Sequence, residues 1–128
     1  MDFKTIKFKC KRIQLSSSDH KDSWKKTAHK YSATIIYCGK HFSTPFYTGS
    51  GWTKEPDFED VMGSLLSEMG YAQDSFGDFC SSLGYDTDSR SAYSQYRTCK
   101  RIAKRLSALF TETDLSELYT YLEAQGKL

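Results

Sequence analysis

The chain has 128 residues, the length of one domain of ordinary size. With 38% hydrophobic and 15% aromatic residues it can bury roughly two thirds of its unfolded surface without a disulfide framework or a structural metal. Its 18 Lys and Arg nearly cancel its 16 Asp and Glu, for a net charge of +2, so net charge alone gives no reason to expect an anionic ligand.

No stretch approaches the roughly 18 apolar residues of a membrane span. The start, Met1-Asp-Phe-Lys4, has no apolar core of a secretory signal. Cys10, Cys38, Cys80 and Cys99 are far apart and form no C-x-x-C pair. Together these features predict four free thiols, no membrane contact and a cytoplasmic location.

Phe3 to Leu15 alternates Ile6, Phe8 and Cys10 against Thr5, Lys7, Lys9 and Lys11. This is the period-2 pattern of a half-buried strand with one apolar face and one lysine-bearing face. Ser16 to Ser23 is too rich in turn formers and charge to be an element, and it is expected to be a mobile surface loop. Trp24 to Tyr37 ends in the β-favouring run Tyr31-Ser-Ala-Thr-Ile-Ile-Tyr37, and Gly39-Lys40 supplies a tight reversal into His41 to Thr48. The region therefore reads as a hairpin. Pro45 has no amide to donate, which puts the returning strand at a sheet edge or at a bulge.

At Asp57 the period changes from 2 to 3.6. Phe58, Val61, Met62, Leu65, Leu66 and Met69 share one stripe, Asp60, Ser64 and Ser67 lie opposite, Asp57 is the expected cap and Gly70 the stop. Ser75 caps a short helix to Leu83, with Phe76, Phe79 and Cys80 inward and Gly84 as terminator. A third helix, capped by Asp88, runs from Ser89 to Phe110 without Gly or Pro. Thr113 caps a last helix through about Ala124, with Leu115, Leu118, Tyr119 and Leu122 inward and Gly126 ending it. Three strands followed by four helices predict an α+β fold: an N-terminal three-stranded antiparallel sheet, then a helical bundle packed on one of its faces. One domain over 1–128 is expected, with a β part over 1–54 and a helical part over 55–128.

The near-neutral total hides a strong segregation. Residues 1–54 hold eleven Lys and Arg against three Asp and Glu, a net of +8; residues 55–98 carry −7 and residues 99–128 carry +1. Such asymmetry points to charged partners, the bland alternative being that the charges neutralise one another across the fold. On the third helix Ala92, Tyr96, Cys99, Ile102, Ala103, Leu106, Leu109 and Phe110 form a core stripe, with Arg90, Arg97, Lys100, Arg101, Lys104 and Arg105 opposite and Tyr93 among them. Six cations and an exposed aromatic suit phosphates and a base, or an acidic groove on a protein. The same face also serves plain solubility and complements the helix dipole.

Lys7, Lys9 and Lys11 offer a second basic surface, joined by Lys30 if strand pairing puts it on the same face; edge protection is the plain alternative. Asp57 and Asp60 offer an acidic helix start that suits a basic partner, or caps the helix and nothing more.

Catalytic signatures are lacking. There is no G-x-S-x-G, H-E-x-x-H, phosphate-binding glycine loop or dinucleotide fingerprint. Cys38-Gly-Lys-His41 is at most half a metal site. Asp86-Thr-Asp88 opens like a calcium loop, but its fifth position is Arg90 and no glutamate closes it at the twelfth. No enzyme activity, cofactor or metal is therefore expected, and a hydrolase would require a Cys and a His to meet in a deep pocket.

Phe46-Tyr-Thr-Gly-Ser-Gly-Trp52, Asp60-Val-Met-Gly-Ser-Leu-Leu66, Asp74-Ser-Phe-Gly-Asp-Phe-Cys80 and Leu83-Gly-Tyr-Asp-Thr-Asp-Ser-Arg90, followed by Tyr96 and Cys99, resemble small accessory proteins encoded by bacteriophages and prophages. The resemblance covers about residues 30–110 and carries over no active site. It implies the cytoplasm of a bacterial host and a non-enzymatic protein that binds and inhibits a host defence complex, anti-CRISPR proteins being the best-known class of this kind. The partner would be a protein or ribonucleoprotein complex, with a nucleic-acid-binding regulator as the alternative. The protein itself would be a monomer or a homodimer. Partner contact would fall on Arg90, Tyr93, Arg97, Lys100, Arg101, Lys104 and Arg105, on Lys7, Lys9 and Lys11, or on Asp57 and Asp60.

Overall fold

Alternating apolar and polar residues at the start of the chain and 3.6-residue periodicity after residue 57 lead to the expected element types and order. The computed structural model describes residues 1–128 and divides into two compact units, Met1–Val61 and Met62–Leu128.

In the first unit β1 (Lys7–Ile13), β2 (His29–Tyr37) and β3 (Lys40–Thr48) form an antiparallel sheet in the order β1-β2-β3. Lys9 pairs with Thr34 and Thr34 with Ser43; one position along, Cys10 pairs with Ala33 and Ala33 with Thr44. That register puts Tyr31, Ala33, Ile35, Phe42 and Thr44 on one face, where all five are buried. Lys7, Lys9 and Lys11 stand on the other, exposed face, because side chains alternate along a strand. Pro45 lies on β3, an edge strand, where its missing amide leaves no ladder bond unmade.

One detail of this half departs from the sequence reading. The hairpin reverses at Cys38-Gly39, one residue earlier than Gly39-Lys40, with φ of 51° and 76°, and Tyr37 pairs directly with Lys40. A two-residue turn that matches strand twist needs positive φ at both positions, and glycine at the second makes that inexpensive. The loop between β1 and β2 contains short 3-10 turns at Asp19–Lys21 and Ser23–Thr27, and Asp19, in the first of them, is only 4% exposed.

The helices are α1 (Phe58–Tyr71), α2 (Phe76–Leu83), α3 (Arg90–Leu109) and α4 (Glu112–Ala124). Ser75 caps α2 and Gly84 closes it in the left-handed region at φ 73°, as expected. Two caps shift. Ser89, not Asp88, caps α3 by accepting from the Ala92 amide. Thr111, not Thr113, caps α4 through a reciprocal capping box with Asp114. On α4 Leu118 and Leu122 are buried and Leu115 is half-buried, as expected, while Tyr119, about 100° round the helix from Leu118, is 50% exposed and not inward.

In the second unit Ala72, Phe79, Cys80, Ala92 and Cys99 form one buried cluster, with Tyr71, Phe76, Tyr96 and Ala103 packed against it. Aromatic rings dominate it. Phe79 meets Tyr71, Phe76, Tyr85 and Tyr96 at centroid distances of 6.1, 6.4, 6.1 and 5.1 Å. The Tyr96 hydroxyl donates to the Asp74 carbonyl at 2.6 Å, which fixes the α3 backbone beside the start of α2.

Candidate functional site: the basic face of α3

A helix of 20 residues is about 30 Å long, and α3 presents most of that length on one polar side. Its stripe of Ala92, Cys99, Ile102, Leu106 and Leu109 is buried, so the helix rotation leaves Arg90, Arg97, Lys100, Arg101, Lys104 and Arg105 exposed together. None of Arg90, Arg97, Lys100 and Lys104 is ion-paired. Tyr93 stands among them at 53% exposure, its ring edge-on to Phe76 at 5.5 Å and the Arg97 guanidinium 6.0 Å from its centroid. Lys100 lies 5.2 Å over the Tyr96 ring. The cations are therefore steered by aromatic faces while their charged heads stay in water.

Between the side chains lies an open groove of about 470 Å³ lined by Arg90, Tyr93, Ser94, Arg97, Thr98 and Arg101. Three guanidiniums, two hydroxyls and one phenol line it. This donor-rich set contains no nucleophile paired with a base; it suits the recognition of phosphate or carboxylate oxygens by forked hydrogen bonds.

One acidic group bears on this face. Burial pushes the Glu68 carboxyl on α1 up to about 7, outweighing the opposing pull of Arg101. Burial likewise pushes the Cys99 thiol up to about 11, with the Glu68 charge adding to the effect, so this thiol is unreactive at neutral pH. A carboxyl whose folded value is raised keeps a proton that the unfolded chain gives up, so its stability term declines as pH rises from about 4.5 to 7. Glu68→Gln is expected to be more stable than the parent at pH 8, by about 2 kcal/mol, and to match it near pH 4. Urea unfolding at the two pH values measures the difference.

The remaining sequence-predicted residues fall into two further sets. Lys7, Lys9 and Lys11 form a row on the open side of the sheet. Asp57 and Asp60 cap α1 reciprocally: the Asp60 amide donates to Asp57 Oδ1 at 2.8 Å and the Asp57 amide to Asp60 Oδ2 at 3.2 Å. Both carboxylates are thus engaged at the helix start.

Sequence reasoning passed over a group on the sheet. Asp19 accepts from Lys30 Nζ at 2.7 Å, from the Tyr47 hydroxyl at 2.6 Å, and from the Ser16 amide and hydroxyl at 2.7 and 2.9 Å. Burial alone would raise its pKa, but these bonds prevail and hold it well below the usual carboxylate range. Burial and the bond to Asp19 push the Tyr47 hydroxyl far upward. Lys30 shares the face of the lysine row, yet its charge is matched by Asp19.

No three His, Cys, Asp or Glu side chains gather within reach of a metal ion, and no helix is long and apolar enough to cross a membrane. Comparison with family models, with curated proteins and with solved structures yields no match.

Proposed function

We propose that the protein is a non-catalytic binding protein that docks the basic face of α3 onto a polyanionic surface and acts by covering it. The observation that carries this reading is the groove beside Tyr93, where Arg90, Arg97 and Arg101 converge without a nucleophile or a metal-ligand set. Phosphate is the anion that best uses several forked guanidiniums, because each fork bonds two oxygens at once. The resemblance to phage accessory proteins directs the reading further. The covered surface would belong to a nucleic-acid-bearing defence complex of a bacterial host, and occlusion would inhibit it in the manner of an anti-CRISPR protein.

A second reading, a nucleic-acid-binding regulator, is favoured by Tyr93, which is exposed, held by Phe76 and flanked by Arg97. Such a ring offers a base a stacking surface.

The test is capture of partners from host lysate with and without nuclease, by the parent and by the Arg97→Glu, Arg101→Glu, Lys104→Glu variant. Loss of capture by the variant is expected. Nuclease-resistant capture supports a protein or ribonucleoprotein target, and nuclease-sensitive capture supports direct binding to nucleic acid. In the latter case the variant's affinity should depend less on salt, its logarithmic slope falling by about 2 to 3 units for three lost phosphate contacts. Retention of every partner by the variant would overturn the reading.

A further inference from the structure

The open face of the sheet carries a group of residues that the α3 reading leaves without a role. We propose that this face is a separate binding surface for single-stranded nucleic acid, with Trp24 stacking on a base and Lys7, Lys9 and Lys11 contacting phosphates.

Trp24 is 59% exposed, yet it is firmly placed. Its ring stands edge-on to Tyr47 at 5.6 Å and 79°, and the Tyr47 hydroxyl is held by the buried carboxylate of Asp19. Lys25 Nζ lies 5.5 Å from the Trp24 centroid and 4.8 Å from that of Tyr47, itself tied to Asp22 at 2.9 Å. A large apolar ring held in water by this support is already arranged to stack, and stacking then requires little further ordering. Lys30 Nζ also lies over the Tyr47 ring, 5.6 Å from its centroid, with its charge matched by Asp19. It supports the platform and is not one of the phosphate ligands.

The register relates this platform to the lysines. On the open face Ile13, Lys30 and Tyr47 form one row across the sheet, and the next row is Lys11, Ser32 and Pro45, followed by Lys9, Thr34 and Ser43. Beyond Lys30 the floor beside Lys11 and Lys9 therefore consists of short side chains, and the row of Lys7 continues with Ile36 and His41. Thr34 and Ser43 are hydrogen-bonded to each other at 2.8 Å. Strand spacing puts the lysine column about 10 Å across the sheet from the Tyr47 column, with a cation about every 7 Å along it. A backbone running along β1 meets one charge per step of that length while its bases turn across the floor toward Trp24.

The combination selects the occupant. A duplex keeps its base faces stacked inside and gives Trp24 nothing to cover. An acidic peptide answers the lysines but not the indole. A single strand answers both, since every base has a face and every step a phosphate.

The chain has two tryptophans, so Trp52→Phe leaves Trp24 as the sole tryptophan, whose emission is read with excitation beyond the tyrosine band. Titrating that protein at low salt with oligothymidylate of about 12 nucleotides is expected to quench its emission. A duplex of the same length and polyglutamate should leave the emission unchanged. Trp24→Ala, followed by anisotropy of a labelled strand, should weaken binding by about 5- to 100-fold. The charge reversals Lys7→Glu, Lys9→Glu, Lys11→Glu should lower the logarithmic salt slope by about 2 units, and the Lys→Gln triple, which spares the edge strand new repulsion, should do the same. Trp24 emission in the Arg97→Glu, Arg101→Glu, Lys104→Glu protein should still be quenched by the strand whatever the change in its overall affinity, so this test stands apart from the one for α3. Absence of quenching, equal quenching by duplex or polyglutamate, or an unchanged slope in both lysine variants would overturn the proposal. Quenching lost only in the α3 variant would overturn it too, while leaving the α3 reading intact.

Discussion

Replacing Phe79 by alanine is expected to destabilise the helical unit by about 4 kcal/mol. Phe79 is fully buried and is the ring on which Tyr71, Phe76, Tyr85 and Tyr96 converge. Alanine would remove the transfer energy of the ring, leave a cavity between side chains too rigid to close it, and break four aromatic contacts. That loss is a large part of the ordinary stability of a domain, about 5 to 15 kcal/mol. Urea unfolding followed by circular dichroism at the helical band measures it, and Phe79→Leu, which keeps most of the volume, should lose far less. A shift below about 1 kcal/mol for the alanine variant would mean that the aromatic cluster is not the centre of this unit. The effect reaches the candidate site, because Phe76 stacks on Phe79 and supports Tyr93.

The second large effect is expected at Asp19. Asp19→Ala would remove the acceptor of four hydrogen bonds and leave the ammonium of Lys30, largely withdrawn from water, without its counter-charge. Removing one partner of such a pair is destabilising by about 3 kcal/mol, because the other charge stays where it was. The folded pKa of Asp19 lies below its unfolded value of 3.8, so its contribution is fully present above that pH and declines as pH falls through the acid range. The gap between parent and variant should therefore be widest at pH 7 and narrower at pH 3, as read by urea unfolding. A gap that widened toward pH 3 would contradict the arrangement. Near-ultraviolet dichroism should also change, since Tyr47 and Trp24 lose their support.

These two sites differ in how they can be read from a sequence. Phe79 belongs to a helical stripe with Phe76 and Cys80, so its inward direction follows from 3.6-residue spacing alone. The same local logic yields the basic face of α3, since a helix rotation that buries Cys99, Ile102 and Leu106 leaves Arg97, Arg101 and Lys104 outside. The lysine row of β1 follows equally from the two-residue period of a strand. Cap positions were legible only to within two residues: Asp88 and Ser89 are both good cap formers, as are Thr111 and Thr113. The backbone chose Ser89 and Thr111, the latter because Asp114 three residues on returns its hydrogen bond.

Asp19 is another matter. In sequence it lies in a run of serines and charges that has every mark of a solvated loop. Its partners Lys30 and Tyr47 are 11 and 28 residues away, and only the pairing of β2 with β3, which sets Lys30 beside Tyr47, brings them to one carboxylate. The platform under Trp24 arises from the same pairing. By itself the sequence determined the order and type of the seven main elements, the sheet edge marked by Pro45, and which sides of α3 and β1 carry charge, because each of these depends on spacing within a few residues. Only the tertiary structure decided that Asp19 is buried, that Lys30 is neutralised while Lys7, Lys9 and Lys11 remain exposed, and that Trp24 is held in water against Tyr47. Those outcomes depend on which distant groups the strand register brings within hydrogen-bonding distance, and no local period encodes that.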